Sequence, residues 1–282
     1  MSPDRSTIQQ NSLYTTSGWN SELQKHLTGD IAAGVVSATI ISPIVTIIDR
    51  TIVERLALNR PLLRTLGANT FCSIFQPRKF YISKPFLIVW SLYAATYCTA
   101  NVTDTCIDHL PPLTDKRSTA NLAATLSFLP TYAVNVYLGI LKDVNFAQVY
   151  GRSSNAVAVA ARVPRAAYMS FLFRDSVTIF SSFNLAPWMA SSVPDWVATG
   201  PHTKAMISQL VLPAAVQFAN TPLHLLGLDW IARPQTQGLA ERWRRVRRDW
   251  ASSSTVRAAR VLPAFGVGCI MNTELRDLFQ HH

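Results

Sequence analysis

The sequence predicts an all-α membrane protein with six transmembrane helices, arranged as three pseudo-repeats of a two-helix unit. Of its 282 residues, 49% are hydrophobic and only 15% are charged, whereas soluble domains carry about 25% charged residues. Residues 31–48 contain no charged side chain, and an apolar helix of roughly 20 residues can cross a bilayer. Proline recurs at nearly even intervals inside further apolar segments, which indicates an internally repeated fold.

The first helix is predicted over residues 29–55, after a polar tail at residues 1–26. Its first half is rich in Gly, Ala and Ser, which let helices approach closely in lipid. Pro43 then removes one backbone hydrogen bond, and the resulting kink is tolerated where neighbouring helices pack against it. The tail has neither an apolar signal core nor the arginine-rich character of a cleaved presequence. Residues 27–280 are therefore predicted to form a single membrane domain.

The other helices follow two interleaved series of prolines. The first series lies within the odd-numbered helices. The second lies near the start of the even-numbered helices, just after a Lys or Arg. We expect each of these prolines to kink its helix. The first series is Pro43, Pro130 and Pro222, and the second is Pro85, Pro164 and Pro263. The predicted repeats are residues 27–110, 116–186 and 204–280.

The net charge of +10 is concentrated in part of the chain. Basic residues gather at 50–79 and 233–257, whereas the predicted loops at 104–117 and 195–204 are short and nearly balanced. With six spans these two groups fall on opposite sides of the membrane, in agreement with the positive-inside rule. Nucleic acid is not expected as a partner, because spans separate the basic clusters and no aromatic-rich binding motif accompanies them.

Residues 239–250, in the third basic loop, have the pattern of an amphipathic helix. Trp243, Val246 and Trp250 share one helical face, with arginines around the rest. Such a helix suits an anionic membrane surface, so membrane lipid is an expected partner. A solvated basic loop is the alternative interpretation.

The first apolar segment has small residues, then Ser-Pro, then an apolar run that ends in Asp-Arg at residues 49–50. This segment resembles the first helix of a mitochondrial carrier repeat. The two proline series match the three tandem repeats of that family, and the resemblance covers about residues 27–280. It implies six tilted helices, a monomer, a multi-pass location in a mitochondrial membrane, and cardiolipin as a lipid contact. No Ser/His/Asp arrangement, metal-ligand spacing or glycine-rich phosphate loop stands out in the sequence. We therefore expect no enzyme activity, no metal and no cofactor.

In mitochondrial carriers, each odd-numbered helix has the motif Pro-x-[Asp/Glu]-x-x-[Lys/Arg], and the resulting ion pairs close one side of the protein. The resemblance places these positions on residues that keep none of the pairs, so the usual gate cannot operate. In carriers these ion pairs form a ring, and the even-numbered helices carry a similar ring on the opposite side of the protein. In that second ring two acids remain here, Asp175 and Glu274, which could equally be helix-end charges in water. The acidic positions of the first ring are Val45, Tyr132 and His224, and its basic positions are Ile48, Asn135 and Gly227.

The candidate substrate site consists mainly of cations near the second series of prolines. Charged residues within spans usually face the protein interior or a water-filled cavity. One cation per repeat at similar depth therefore predicts a cavity for anions. These side chains could instead extend to the interface or pair with lipid phosphate. A histidine on helix 5 could titrate near neutral pH, or be neutral and packed. The candidate residues are Lys84, Arg162, Arg165, Arg260 and His224.

Two functions are open on the sequence alone. The first is a divergent carrier that moves a small anionic solute across the inner mitochondrial membrane. The surviving cations favour this hypothesis. The second is a non-transporting relative that acts as a membrane adaptor, remodelling factor or insertion factor. Its location could be the outer mitochondrial membrane. The missing gate pairs favour this one.

Overall fold

The structure is a computed structural model that describes residues 5–109, 116–150, 163–181, 185–233 and 238–281. These ranges contain helices and no strand. The all-α prediction is confirmed. The helices are α1 (Arg5–Leu58), α2 (Leu62–Phe75), α3 (Pro77–Tyr81), α4 (Lys84–Asp108), α5 (Lys116–Tyr150), α6 (Arg165–Phe180), α7 (Ala186–Ala190), α8 (Pro201–Ala232), α9 (Leu239–Val261) and α10 (Gly268–His281). A π-helical turn, Leu262–Val267, joins α9 to α10.

The long helices pack in chain order around a closed circuit. α1 packs against α4, α4 against α5, α5 against α6, α6 against α8, and α8 against α9. Because α10 returns to α1, the last helical stretch closes the circuit on the first. α5 and α1 also contact α8 across the bundle, so the interior is filled by side chains at that level.

Only one described helical segment, Glu22–Leu58, is long and apolar enough to cross a membrane by length and composition. The six-span architecture predicted from the sequence is therefore not confirmed by this criterion. Polar residues on the other long helices lower their mean hydropathy. Lys142 on α5 and both Gln217 and His224 on α8 are buried against neighbouring helices.

The two proline series occupy different places in the helices. Pro43, Pro130 and Pro222 lie inside continuous helices, α1, α5 and α8 respectively. Pro85 lies in the first turn of α4 and Pro164 is the N-cap of α6, where a missing N–H has no intrahelical acceptor to lose. Pro263 lies in the π-helical turn, a local widening that is common where the regular hydrogen-bond ladder is interrupted.

Two helices extend through segments that the sequence predicts as loops. The sequence predicts a loop at residues 142–155, where charged residues follow an apolar run, but α5 continues through residues 142–150 of this segment to Tyr150. α9 begins at Leu239, so the amphipathic segment at residues 239–250 is the start of a long helix. The rest of that predicted loop, residues 151–155, and the predicted start of helix 4, residues 156–162, lie outside the described residues.

The described part of the chain has an unusual distribution of polarity. Its buried residues include as many polar and charged side chains as apolar ones. Large apolar side chains are exposed along several long helices, including Ile31, Ile40 and Ile44 on α1 and Met169 and Phe173 on α6.

Candidate functional site

A buried cluster of charged residues, here called the central ion network, lies where five helices meet. Three carboxylates and three cations alternate within it, and a histidine adjoins one of the cations. Its members are Asp49 on α1, Lys142 and Asp143 on α5, Arg174 and Asp175 on α6, His224 on α8 and Arg260 on α9.

Asp49 receives cations from two different helices. Nη1 of Arg260 donates to both of its carboxylate oxygens, at 2.7 and 2.9 Å, and Nζ of Lys142 donates to Oδ2. Lys142 also lies 2.8 Å from Oδ1 of Asp143. The two carboxylates therefore share the Lys142 ammonium, and Asp49 is ion-paired to both α5 and α9.

Arg174 extends the network to α6 and α8. It pairs with Asp143 through Nη1 and with Oδ1 of Asp175 through Nη2, the latter at 2.6 Å. The same Nη1 lies 2.7 Å from Nδ1 of His224. Since a guanidinium can only donate, Nδ1 of His224 must accept, and the imidazole is therefore neutral. The structure thus shows a packed, hydrogen-bonded His224.

The network couples the helices strongly because its members are buried. The side chains of Lys142, Asp143 and Arg174 are 6%, 4% and 6% exposed. Replacing a whole buried ion pair with apolar residues can be neutral, but removing one partner leaves a buried charge unpaired and costs about 3–5 kcal/mol. The helices around the network can therefore separate only if several pairs break together and new partners or water replace them.

A second polar cluster surrounds Asp30, which lies closer to the start of α1 than Asp49 does. Asp30 accepts hydrogen bonds from Arg276 at 2.9 Å, from Gln280 at 2.8 Å and from Thr105 at 2.5 Å. Asn101 donates to the Asp30 carbonyl oxygen at 3.0 Å. Helical rise places Asp30 about 28 Å from Asp49 along α1. This cluster joins α1, α4 and α10, whereas the central ion network joins five helices.

The structure brings two of the candidate substrate residues together and leaves two others apart. Arg260 and His224 both belong to the central ion network. Lys84 is exposed at the start of α4, where it lines an open groove of about 580 Å³ between α4 and α5. Arg165 is exposed at the start of α6. Arg162 lies outside the described residues.

The positions assigned to the carrier gate are mostly packed or hydrogen-bonded. Val45 and Ile48 belong to the main apolar core. The Tyr132 hydroxyl lies 3.3 Å from the Ser176 hydroxyl, and Asn135 donates to the Thr96 hydroxyl at 3.2 Å. The other positions are Gly227, which packs against Phe171, Asp175, which pairs with Arg174, and Glu274, which is exposed.

The sequence patterns do not identify Asp49, Asp143 or Lys142 as members of the network. Lys142 and Asp143 follow the end of an apolar run, a pattern that predicts a loop, but both lie within α5. Asp49 ends the first apolar segment, but no local pattern specifies its partners, which lie 93 and 211 residues away on α5 and α9. An ionisable residue at the edge of each apolar segment was the available signal.

The amphipathic face predicted at residues 239–250 is divided in the structure. Val246 is buried in the main core, whereas Trp243 and Trp250 are 46% and 42% exposed. The indole N–H of Trp250 donates to the Phe218 carbonyl oxygen at 2.8 Å. Contact of the two exposed indoles with membrane lipid stays a prediction.

The fold and the central ion network define a helical bundle protein with a polar, ion-paired interior and much exposed apolar surface. A family model described as "Probable citrulline exporter" matches residues 32–280, and the chain belongs to that family. No curated protein and no solved structure matches the chain significantly. The family's description agrees with the predicted transport function in its general form.

The assignment to the mitochondrial carrier family is wrong, because the matching family is a different one and no mitochondrial carrier domain is found. The prolines that carried the resemblance lie inside helices or at helix starts, and these positions are not specific to one family. The expected mitochondrial location depended on that resemblance and loses its support.

Proposed function

We propose that the chain is a multi-pass membrane protein that exports citrulline or a closely similar amino acid. The observation that carries the proposal is the family match over residues 32–280. The distribution of polar and apolar side chains in the fold supports it independently.

Exposed apolar side chains support a membrane location. Along α1, Ile31, Val36, Ile40 and Ile44 are between 39% and 48% exposed, and they recur at intervals of four or five residues. Helices satisfy their own backbone hydrogen bonds, so they can present such a face to lipid. The polar residues of the same helices face the bundle interior, where charged groups in membrane proteins are normally found.

The interior suits a zwitterion better than the simple anion expected from the sequence. Citrulline carries a carboxylate, an ammonium and an uncharged ureido group, and has no net charge at neutral pH. The central ion network presents both signs of charge within a few ångströms, since Asp49 contacts both Lys142 and Arg260. A cavity that opened beside it would offer partners to both charged ends of the solute.

The central ion network is proposed to close one side of the transport path. Asp49, Lys142, Arg174 and Arg260 belong to four different helices, and their ion pairs hold these helices together at one level. Solute passage requires those helices to move apart. Exchange of ion-pair partners, rather than loss of all of them, would keep the barrier to this motion low enough for turnover.

Efflux from reconstituted vesicles tests the proposal. The purified protein is placed in liposomes loaded with radiolabelled citrulline, and release is followed against protein-free vesicles. We expect release that is faster for citrulline than for glutamate, which carries a net negative charge. Equal release from protein-free and protein-containing vesicles would contradict the proposal and favour the non-transporting adaptor.

A further inference from the structure

Arg257 on α9 is a buried cation with few partners. The residue is 3% exposed, and its Nη2 donates to Oε1 of Gln217 on α8 at 3.0 Å. Its Nε is buried and has no hydrogen-bond partner. Within the described part of the chain, no carboxylate lies within the 4.0 Å that defines an ion pair. A buried guanidinium in this state retains unused capacity to donate.

The neighbouring cations are paired differently. Lys142 and Arg174 each contact two carboxylates, and Arg260 contacts one. The carboxylates that act electrostatically on Arg257 include Asp49 and Asp143, and both are already held by these other cations. With Arg257 included, the described cluster has four cations and three carboxylates. One positive charge is therefore left without a carboxylate of its own.

Other unused hydrogen-bonding groups lie on the same face of α9. Ser253 and Ser254 are buried, and their hydroxyls have no partner among the described residues. Residues three and four positions apart share a helix face, so both serines lie on the side of α9 that carries Arg257. Buried polar groups are normally satisfied. Three buried groups on one face of α9, Arg257 Nε and the two serine hydroxyls, are therefore free to donate to the acceptor atoms of a ligand.

We propose that Arg257, positioned by Gln217 and aided by Ser253 and Ser254, binds the carboxylate of the exported amino acid. This inference rests on the proposed export of citrulline. A carboxylate supplies the missing negative charge and several acceptor lone pairs, which match a guanidinium and two hydroxyls. Binding there brings the solute beside the central ion network, through which the helices are held together.

Transport of a matched pair of solutes tests the carboxylate contact without any mutation. Wild-type protein in liposomes is supplied with citrulline or with citrulline amide, in which a carboxamide replaces the carboxylate. We expect citrulline to be released at least about tenfold faster, the loss associated with a hydrogen bond to a charged group. Equal release of both solutes would overturn the inference while leaving the proposed function intact. Failure of the wild type to release citrulline would overturn both.

Substitution at Arg257 tests the residue itself. Arg257→Gln should lower citrulline release by at least about tenfold and should abolish the preference over citrulline amide. Arg257→Lys should retain part of the activity, because the charge persists but the planar fork is lost. Arg247→Gln is the matched control, since Arg247 lies on the same helix and is exposed. Full activity in Arg257→Gln would overturn the inference.

Thermal unfolding in detergent separates ligand binding from a structural role. Without ligand, Arg257→Gln should unfold at the same temperature as the wild type or a higher one, because an unpaired buried charge is removed. Citrulline should stabilise the wild type and Arg247→Gln, but not Arg257→Gln. A lower unfolding temperature for ligand-free Arg257→Gln would show that Arg257 is structural. Equal stabilisation of the wild type by chloride would show a general anion site. Either result would contradict the proposal.

Discussion

Asp49 on α1 binds Arg260 on α9 through both carboxylate oxygens, although 211 residues separate them in the sequence. The pair connects α1 to α9, and Lys142 on α5 binds the same carboxylate. Asp49 is therefore the residue on which α1, α5 and α9 converge.

Replacing Asp49 with Asn should destabilise the protein. The substitution leaves the buried Lys142 and the half-buried Arg260 without their shared carboxylate, and breaking a buried pair costs about 3–5 kcal/mol. Chemical denaturation in detergent measures the change in the free energy of unfolding. The double variant Asp49→Asn/Arg260→Gln should lose less stability than the two single changes added together, because it removes both charges. Strict additivity would show that the pair is not coupled.

Gly227 and Gly67 should respond in opposite ways to replacement by alanine. A Cβ on Gly227 would lie 2.5 Å from Cε1 of Phe171, and overpacking of this kind costs roughly 1–3 kcal/mol. A Cβ on Gly67 would meet nothing within 4 Å, and Gly67 lies inside α2. Gly67→Ala should therefore stabilise the protein by roughly 0.5–1 kcal/mol. Thermal unfolding of both variants measures the difference.

If Gly227→Ala lost no stability, the close contact between α6 and α8 at Phe171 would be contradicted. Phe171→Leu/Gly227→Ala gives a further check, because a smaller side chain at position 171 should restore part of the lost stability.

Tyr97 should make Gly268 intolerant of a side chain. A Cβ on Gly268 would collide with the Tyr97 hydroxyl and would lie 3.2 Å from Cδ1 of Ile41. That hydroxyl donates to the Ala264 carbonyl oxygen at 3.1 Å. We expect Gly268→Ala to cost roughly 1–3 kcal/mol and Tyr97→Phe about 1 kcal/mol. The combined variant should be more stable than the sum of both losses, as measured by denaturation.

No recovery in that double variant would place the steric conflict elsewhere. Ile41→Val in the Gly268→Ala background would then show whether the Ile41 contact, rather than the tyrosine hydroxyl, limits the space at Gly268.

Asp229 should be far more important for stability than Asp195. Asp229 is fully buried and binds Arg233 at 3.0 Å, Arg242 at 2.7 Å and Arg245 at 3.0 Å. Asp229→Asn removes the buried carboxylate that the three arginines share and should cost several kcal/mol, although Arg245 keeps its ion pair with Glu241. Asp195 pairs with Lys204 at 2.6 Å, but its side chain is 83% exposed. Exposed pairs contribute little, so Asp195→Asn should leave the unfolding temperature unchanged.

Similar unfolding temperatures for the two variants would contradict the proposed importance of the Asp229 cluster, which joins the end of α8 to the start of α9. Proteolysis near the α8–α9 connection should also be faster in Asp229→Asn, because the arginines that hold the two helices together are released.

Much of the helical fold was predictable because it follows from local chemistry. Pro43, Pro130 and Pro222 lie inside long helices as expected, and the apolar segments around them are helical. Helix ends were harder to predict. α5 continues past Lys142 because Lys142 and Asp143 find partners on α1 and α6. Hydropathy alone assigns two charged residues after an apolar run to a loop.

The candidate site is only partly predictable from the sequence, and the comparison of Arg260 with Lys84 illustrates why. A lone cation beside Pro263 indicated an interior position, which the structure shows, but its partner could not be identified from the sequence. Lys84 has the same local pattern beside Pro85 and is exposed instead. Arg260 and Lys84 differ in burial because the rotation of a helix about its axis decides whether a side chain faces the bundle or its surroundings. No local sequence pattern specifies that rotation.

The sequence by itself determined that this protein is all-helical, rich in apolar surface and divided by recurring prolines, because these properties arise within one helix or one turn. Only the tertiary structure decided which charges meet. Asp49 reaches partners 93 and 211 residues away, while Arg257 is left without a carboxylate among the described residues. A rotation by one residue on any of these helices turns a side chain by about 100°, so the pairing depends on the packing of the whole bundle.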